Sequence, residues 1–363
     1  MTLSDRIVLA ALGLGLSAFV SSVAQAGDEF KLVAAQPGEQ SPDQPAGASS
    51  TASDAPNESS QPASEPYAGG VNPNARFAFS NQRLHEDPVI FWKGFLSGLR
   101  GFEQFYAPVG NPLYFETPFN TSELRFVYLN HNFADGSQLQ GGNLNVVAMQ
   151  ARLALTERLG FIATKDGYSW LDAGLVPSSN GWNSISAGLK YAFYVDREQE
   201  LVMNTGVRYM MQSGEAKVFQ GGVQELSPFI SAAKGWDRFH LIGDFTWRAP
   251  LDSDDGNNII QWDLHADYEI LPDTLKGFAP FLELHGLHYL DNGSRLPLSV
   301  GGLDYNNWGS TDVAGSTVIW FGVGARYKFS PHASIGADFE YPLTNRNADI
   351  MGSRWTVDFI LNW

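Results

Sequence analysis

The chain has 363 residues with a formal net charge of -16, 44% hydrophobic, 13% aromatic and 17% charged residues, 37 Gly, 10 Trp and no Cys. The acidic balance, with no basic stripe to offset it, excludes a nucleic-acid partner, because such binders need clustered Lys and Arg to displace counterions. Absence of Cys removes disulfides, thiolate metal sites and cysteine nucleophiles together.

At the N-terminus, Arg6 precedes the apolar stretch Ile7–Val20, and Ala24-Gln25-Ala26 has the small-x-small form of a signal-peptidase site. Residues 1–26 read as a signal peptide cleaved before Gly27, since the apolar stretch is too short to span a bilayer. After it no run of about eighteen or more apolar residues occurs, so spanning helices are not expected. Residues 27–85 are dominated by Pro, Ser, Ala, Gln and acid, and bury too little apolar area to offset ordering entropy. They are expected to form a disordered periplasmic linker. Within 86–121, Phe91, Phe95, Leu99, Phe102 and Tyr106 fall at helical spacing, with Gly94, Gly98 and Gly101 weakening the helix. The expectation is a short amphipathic helix and lead-in, lying at the membrane interface or, alternatively, packed at the barrel mouth.

From 122 onward the chain alternates apolar and polar residues in about twelve stretches: 122–132, 144–155, 160–167, 184–195, 200–212, 226–233, 237–248, 258–270, 277–290, 315–329, 332–344 and 353–363. The connections alternate short and long, as the two ends of an up-and-down barrel do. Aromatics near strand ends (Tyr128, Phe161, Phe193, Tyr209, Trp247, Trp262, Phe278, Tyr327, Tyr341, Trp355 and Trp363) suit two interfacial girdles. In the last strand Trp355, Val357, Phe359, Leu361 and Trp363 share one face. An aromatic terminus with apolar residues at alternate positions resembles the closing, assembly-signal strand of bacterial outer-membrane barrels. The fold class expected is therefore all-β: a transmembrane antiparallel barrel of about twelve strands at 122–363.

The faces opposite these apolar positions carry charge. The inward set is Arg125, Arg152, Lys190, Arg208, Arg238, His240, Asp263, His265, Glu283, His285, Arg326, Asp338, Glu340, Arg354 and Asp358, flanked by Glu123, Asp244, Arg248, Asp267 and Lys328. Mixed charge inside a pore lets small polar solutes pass while opposite walls set a transverse field. The same residues can instead pair with one another and fill a narrow lumen. His240, His265 and the Glu283/His285 pair fall at similar heights, a density that suits either a divalent metal or a hydrogen-bonded network. No metal and no cofactor is expected. The acidic run Asp252, Asp254 and Asp255 reads as a solvated turn, and the long 291–314 loop, if it folds into the pore, favours gated passage.

Ser179-Asn180-Gly181 matches part of the His-x-Ser-Asn-Gly motif of the outer-membrane phospholipase A family, but Pro177 stands in the histidine position. Without a base to take the serine proton, nucleophilic catalysis lacks a mechanism. An enzyme is not expected. The segments LTERLGFIATKDGY, WNSISAGLKYAFYVDREQELVMNTGVRY and the closing strand resemble transporter barrels encoded near aromatic (phenol) degradation genes. That resemblance spans about 120–363 and implies passive uptake of small molecules. The partners expected are outer-membrane lipids and lipopolysaccharide, the barrel-assembly machinery and a small solute. The leading reading is passive or weakly selective passage through a charged lumen. The alternatives are a closed structural or surface-binding barrel, and third an outer-membrane hydrolase.

Overall fold

Every second residue of a strand faces the same way, so a chain with one apolar and one polar face can close on itself with either face inward. In the computed structural model, which describes residues 94–270, 272–344 and 350–363, the polar face is inward. The expected signal peptide, the 27–85 linker and residues 86–93 of the expected helix lie outside the described residues. The strands are β1 (Glu123–Phe133), β2 (Gly142–Ala154), β3 (Leu159–Lys165), β4 (Tyr168–Ala173), β5 (Val176–Trp182), β6 (Ser186–Asp196) and β7 (Leu201–Met210). They continue with β8 (Glu225–Trp236), β9 (Phe239–Pro250), β10 (Ile259–Tyr268), β11 (Phe278–Tyr289), β12 (Thr317–Ser330), β13 (Ala333–Pro342) and β14 (Met351–Asn362).

Twelve of them form a closed antiparallel barrel in chain order, leaving β4 and β5 as an extra hairpin. Closure is made by β1, which pairs with β2 on one side and with β14 on the other, from Glu123↔Asn362 to Asn132↔Ser353. Both ends of the barrel differ. Connections such as 237–238 and 331–332 are short, and those at the other end, such as 211–224 and 290–316, are long.

On β1 the outward Phe126 and Tyr128 are exposed and the intervening Arg125, Val127 and Leu129 are buried. On β14 the outward Trp355, Val357 and Leu361 are exposed, as is Trp363 just after it, while Arg354 and Asp358 are buried. Charge inside and apolar side chains outside is the inverse of a water-soluble domain, and it is stable when the outer surface meets lipid. Trp355 is 50% exposed on this wall and Trp320 is fully buried inside it, stacked on His285. Brominated lipid should therefore quench wild-type emission by an amount that falls in Trp355→Phe and stays unchanged in Trp320→Phe. Equal loss in both variants would contradict the orientation of the wall.

Two sequence expectations are corrected here. The helix expected within 86–121 is not formed in its described part. Gly94, Leu96, Gly98 and Gly101 adopt left-handed φ of 81°, 61°, 66° and 96°, which no right-handed helix accommodates. The segment instead runs as irregular chain into the barrel, where Leu99, Phe102, Phe105, Phe115 and Phe119 form one apolar cluster with Ala192, Val202, Ala233 and Ile242 of the wall. It is thus not an interfacial helix. The second correction concerns 168–183, expected to be a loop. It forms β4 and β5, with Tyr168 stacked edge-on against both Trp170 and Trp182, and Tyr168 Oη donating to Asn180. The cross-strand pair Tyr168–Trp182 supplies stabilisation that Pro177 and Gly181 withhold.

Candidate functional site: a charged lumen filled from both ends

Inward alternation alone would leave the cations and carboxylates of twelve strands facing a void. Two segments occupy that space: the stretch 98–121 that precedes β1, and the 290–316 loop between β11 and β12. Loop residues Val300, Leu303, Asp304, Tyr305, Asn307 and Trp308 are buried, as are Tyr106, Val109, Asn111, Tyr114 and Glu116 of the entering segment.

Glu116 organises the first cluster. Arg152 grips its carboxylate with two bonds of 3.0 Å, Lys190 Nζ lies at 2.7 Å and Arg208 at 3.4 Å. Lys190 also donates to the carbonyls of Thr117 and Phe119, at 2.9 and 2.5 Å. Burial works against ionisation of Glu116, but Arg152, Lys190 and Arg208 outweigh it and hold the carboxyl below the usual range.

A second clamp grips the backbone of 107–111 from the contiguous wall made by β10 to β14 and β1. Arg326 and Arg125 donate to the carbonyls of Ala107 and Pro108, each at 2.8 Å, and Asp358 bridges the two guanidinium groups at 2.7 and 2.5 Å. From the neighbouring strands β11 and β10, Glu283 accepts from the amides of Val109 and Gly110 at 2.9 and 2.7 Å, and Asn111 Nδ2 donates to Asp263 at 2.6 Å. A Cβ on Gly110 would lie 2.4 Å from Glu283 Oε2, 2.7 Å from Asp338 Oδ2 and 2.8 Å from His285 Nε2. Gly110→Ala is therefore expected to loosen this clamp, seen as faster amide exchange across 107–111 with the barrel still resistant to cold detergent. Unchanged exchange would show that the wall yields instead.

The histidines join the same clamp. Cross-strand neighbours Asp267↔His240, His265↔Glu283 and Asp263↔His285 set the register. His240 Nδ1 lies 2.7 Å from Asp267, His265 lies 3.2 Å from Asp267 and 2.7 Å from Glu283, and His285 Nδ1 lies 2.7 Å from Asp263. The sequence constellation of His240, His265, Glu283 and His285 is thus brought together as a hydrogen-bonded chain, with carboxylates from Asp263 and Asp267. Among the described residues no group of three or more His, Asp or Glu is arranged to hold a metal ion.

The loop is tied by another set. Arg354 pairs with Glu340 through two bonds of 2.6 Å and with Asp304 of the loop at 2.8 and 2.9 Å. Burial works against ionisation of Asp304, but Arg354 prevails and lowers its pKa. Arg248 pairs with Glu225 at 3.0 Å and donates to Leu303 O at 2.9 Å. Glu225 in turn accepts from Tyr114 Oη at 2.8 Å and from Asn307 Nδ2 at 3.1 Å, so one carboxylate joins wall, entering segment and loop. Lys165 Nζ adds a bond of 2.9 Å to Tyr305 O.

Of the residues proposed from sequence, Arg125, Arg152, Lys190, Arg208, His240, Asp263, His265, Glu283, His285, Arg326, Asp338, Glu340, Arg354 and Asp358 are buried. Arg238 is corrected. It lies in the two-residue turn between β8 and β9, where alternation no longer fixes direction, and its side chain is 42% exposed beside Asp237 and the Tyr268 ring. Sequence reasoning missed Glu116, Glu225, Asp304, Lys165 and Tyr114. Glu116 did carry a signal, as the one charged residue between Gln104 and Thr121. Ser179 lies on β5, not in a loop as expected, and its hydroxyl donates to Lys217 O at 2.5 Å.

No family model matches the sequence, and no curated protein matches it. Among solved structures, an outer membrane channel from Pseudomonas putida F1 is similar at 13% identity and a TM-score of 0.49, covering 71% of this chain and 100% of that one. The KdgM porin, solved in complex with disordered oligogalacturonate, is 12% identical with a TM-score of 0.39, covering 66% and 99%. The NanC porin is 10% identical with a TM-score of 0.40, covering 67% and 99%.

Proposed function

We propose that this protein is an outer-membrane channel for small solutes whose path is held shut by the 98–121 segment and the 290–316 loop. The carrying observation is that inward charges from several strands hold those two segments: Glu116, the 107–111 backbone and Asp304 are each clamped by wall residues. A barrel that only needed filling would be served by apolar side chains, because buried ion pairs seldom add stability over them. Charged clamps hold a segment in one place and release it when one partner is displaced. In this reading the charged wall residues, now buried, line the path once the segments move. Residues 1–26 serve as the cleaved leader and 27–85 as the periplasmic linker, with the short-turn end facing the periplasm. The closing strand Trp355–Trp363 is read by the barrel-assembly machinery, and the outer rim meets lipopolysaccharide. On the resemblance to barrels encoded near phenol-degradation genes, passage of aromatic compounds is part of the same proposal.

Complete burial of these pairs favours one competing reading, a closed structural barrel. Planar-bilayer recording of the mature chain from Gly27 separates them. The channel reading expects rare or small current steps for the wild type, and larger, longer ones for Glu283→Gln, which weakens the clamp on Val109 and Gly110. Folded barrels of both that conduct nothing would leave the closed barrel as the function.

A further inference from the structure

A cavity of about 170 Å³ opens at the short-turn mouth, between the entering segment and the wall formed by β12, β13, β14, β1 and β2. One side is apolar, made by Phe102, Phe105 and Phe119. The lining also carries the cations Arg100, Arg125, Arg152, Arg326 and Lys328 and the carboxylates of Glu103 and Glu123; with Asp358 and Glu116, which pair with these cations, five cations stand against four carboxylates, a small local excess of positive charge in a chain whose net charge is -16.

Most of these cations are committed. Arg152 holds Glu116 and Glu123, Arg326 holds Asp358 and the Ala107 carbonyl, and Lys328 donates to the carbonyls of Glu103, Gln104 and Phe105. Two donors are left. Arg125 is 2% exposed, and its Nε has no hydrogen-bond partner, though its NH2 is bound to Asp358 and Pro108. Arg100 is exposed and makes no ion pair among the described residues. A buried donor without a partner carries a desolvation cost that an incoming acceptor removes.

We propose that this cavity binds a small carboxylate with an apolar body of about six carbons. The carboxylate accepts from Arg125 Nε and is faced by Arg100, and the carbon body lies against Phe102, Phe105 and Phe119. The volume suits that size, since a cavity of about 150 Å³ accommodates a benzene ring. A cationic solute of the same shape meets the excess positive charge and is rejected, and a neutral one leaves the Nε poorly compensated. The physiological sense rests on the channel reading: an anionic solute pauses at the periplasmic mouth. The binding itself is measured without conduction.

The test is calorimetric titration of the full mature chain, refolded in detergent, with sodium hexanoate and with hexylammonium chloride. Hexanoate is expected to bind saturably at one site and hexylammonium not to bind. Arg100→Glu, at an exposed position, should weaken hexanoate about tenfold, as loss of one charge-assisted contact does. Ser97→Trp, also exposed and lining the cavity, should block it by filling the space. Equal binding of the two ions, no saturable hexanoate signal, or hexanoate affinity unaltered in both variants would overturn the proposal. Hexanoate binding by a barrel that never conducts would retain this site and remove the channel reading. A conducting barrel that ignores hexanoate would do the reverse.

Discussion

Glu116→Ala is expected to release the entering segment while leaving the barrel wall closed. The substitution leaves Lys190 and Arg208 without a carboxylate and Arg152 with Glu123 alone. Removing one member of a buried ionic cluster costs about 3–5 kcal/mol, because the remaining charges stay desolvated without compensation. The wall is held by its own ladder of strand hydrogen bonds, whereas residues 98–121 contribute no strand to it. The loss therefore falls on local docking of the segment. By hydrogen exchange with mass spectrometry, amides of 98–121 should exchange about 10² to 10³ times faster than in the wild type, with β-strand amides little changed. Unchanged protection of 98–121 would show that its aromatic cluster alone holds it. The pH dependence follows from the sign of the shift. The carboxyl of Glu116 has its pKa lowered in the folded protein, so its contribution is fully present above the ordinary Glu range near 4.3 and is lost only as pH falls through the lower folded value. Docking should thus persist at pH 5 and weaken in strong acid.

The barrel wall was legible in the sequence because its determinants are local. Alternation in Thr317–Ser330 and in Met351–Asn362 reports which face meets lipid, and a turn as short as 331–332 leaves little choice of register. The filling of the lumen was not legible, because its determinants are distant. Val109 and Glu283 are separated by 174 residues, and no period links them. Phe95, Leu99, Phe102 and Tyr106 do fall at helical spacing. What decides against a helix is the left-handed backbone at Gly98 and Gly101, together with an apolar space inside the barrel that irregular chain can fill. The β4–β5 hairpin was hidden for a related reason. Pro177, Ser178, Ser179, Asn180 and Gly181 are turn formers, and it is their pairing with β4, from Tyr168↔Trp182 to Ala173↔Val176, that makes them a strand. Arg238 shows the limit of alternation from the other side: a shift of the strand start to Phe239 moves its side chain out of the lumen.

Arg354→Met should produce the largest loss of stability of any single substitution at the loop. Arg354 is fully buried and is shared by two carboxylates, Glu340 on β13 and Asp304 in the loop. Methionine fills part of the volume but leaves Asp304 without an ion-pair partner among the described residues and Glu340 with only His285 at 3.8 Å, at a cost of about 3–5 kcal/mol. Trp320 Nε1 still donates to Glu340 at 2.8 Å, so Asp304 is the group left with the poorer compensation, and the loop is the part set free. The urea midpoint, followed on unheated gels by the compact and unfolded bands, should fall, and single-channel openings should become more frequent. The triple variant Arg354→Met with Glu340→Gln and Asp304→Asn removes the charges together, and at least half of the lost stability should return, since a neutral buried cluster has no desolvated ion to support. Openings should stay frequent in the triple variant, because Asp304→Asn removes the charge that held the loop. A triple variant less stable than Arg354→Met would show that shape, not charge, dominates here. Recovery of both stability and closure would show that hydrogen bonding alone suffices to hold the loop, and the charged clamp would then have no part in gating.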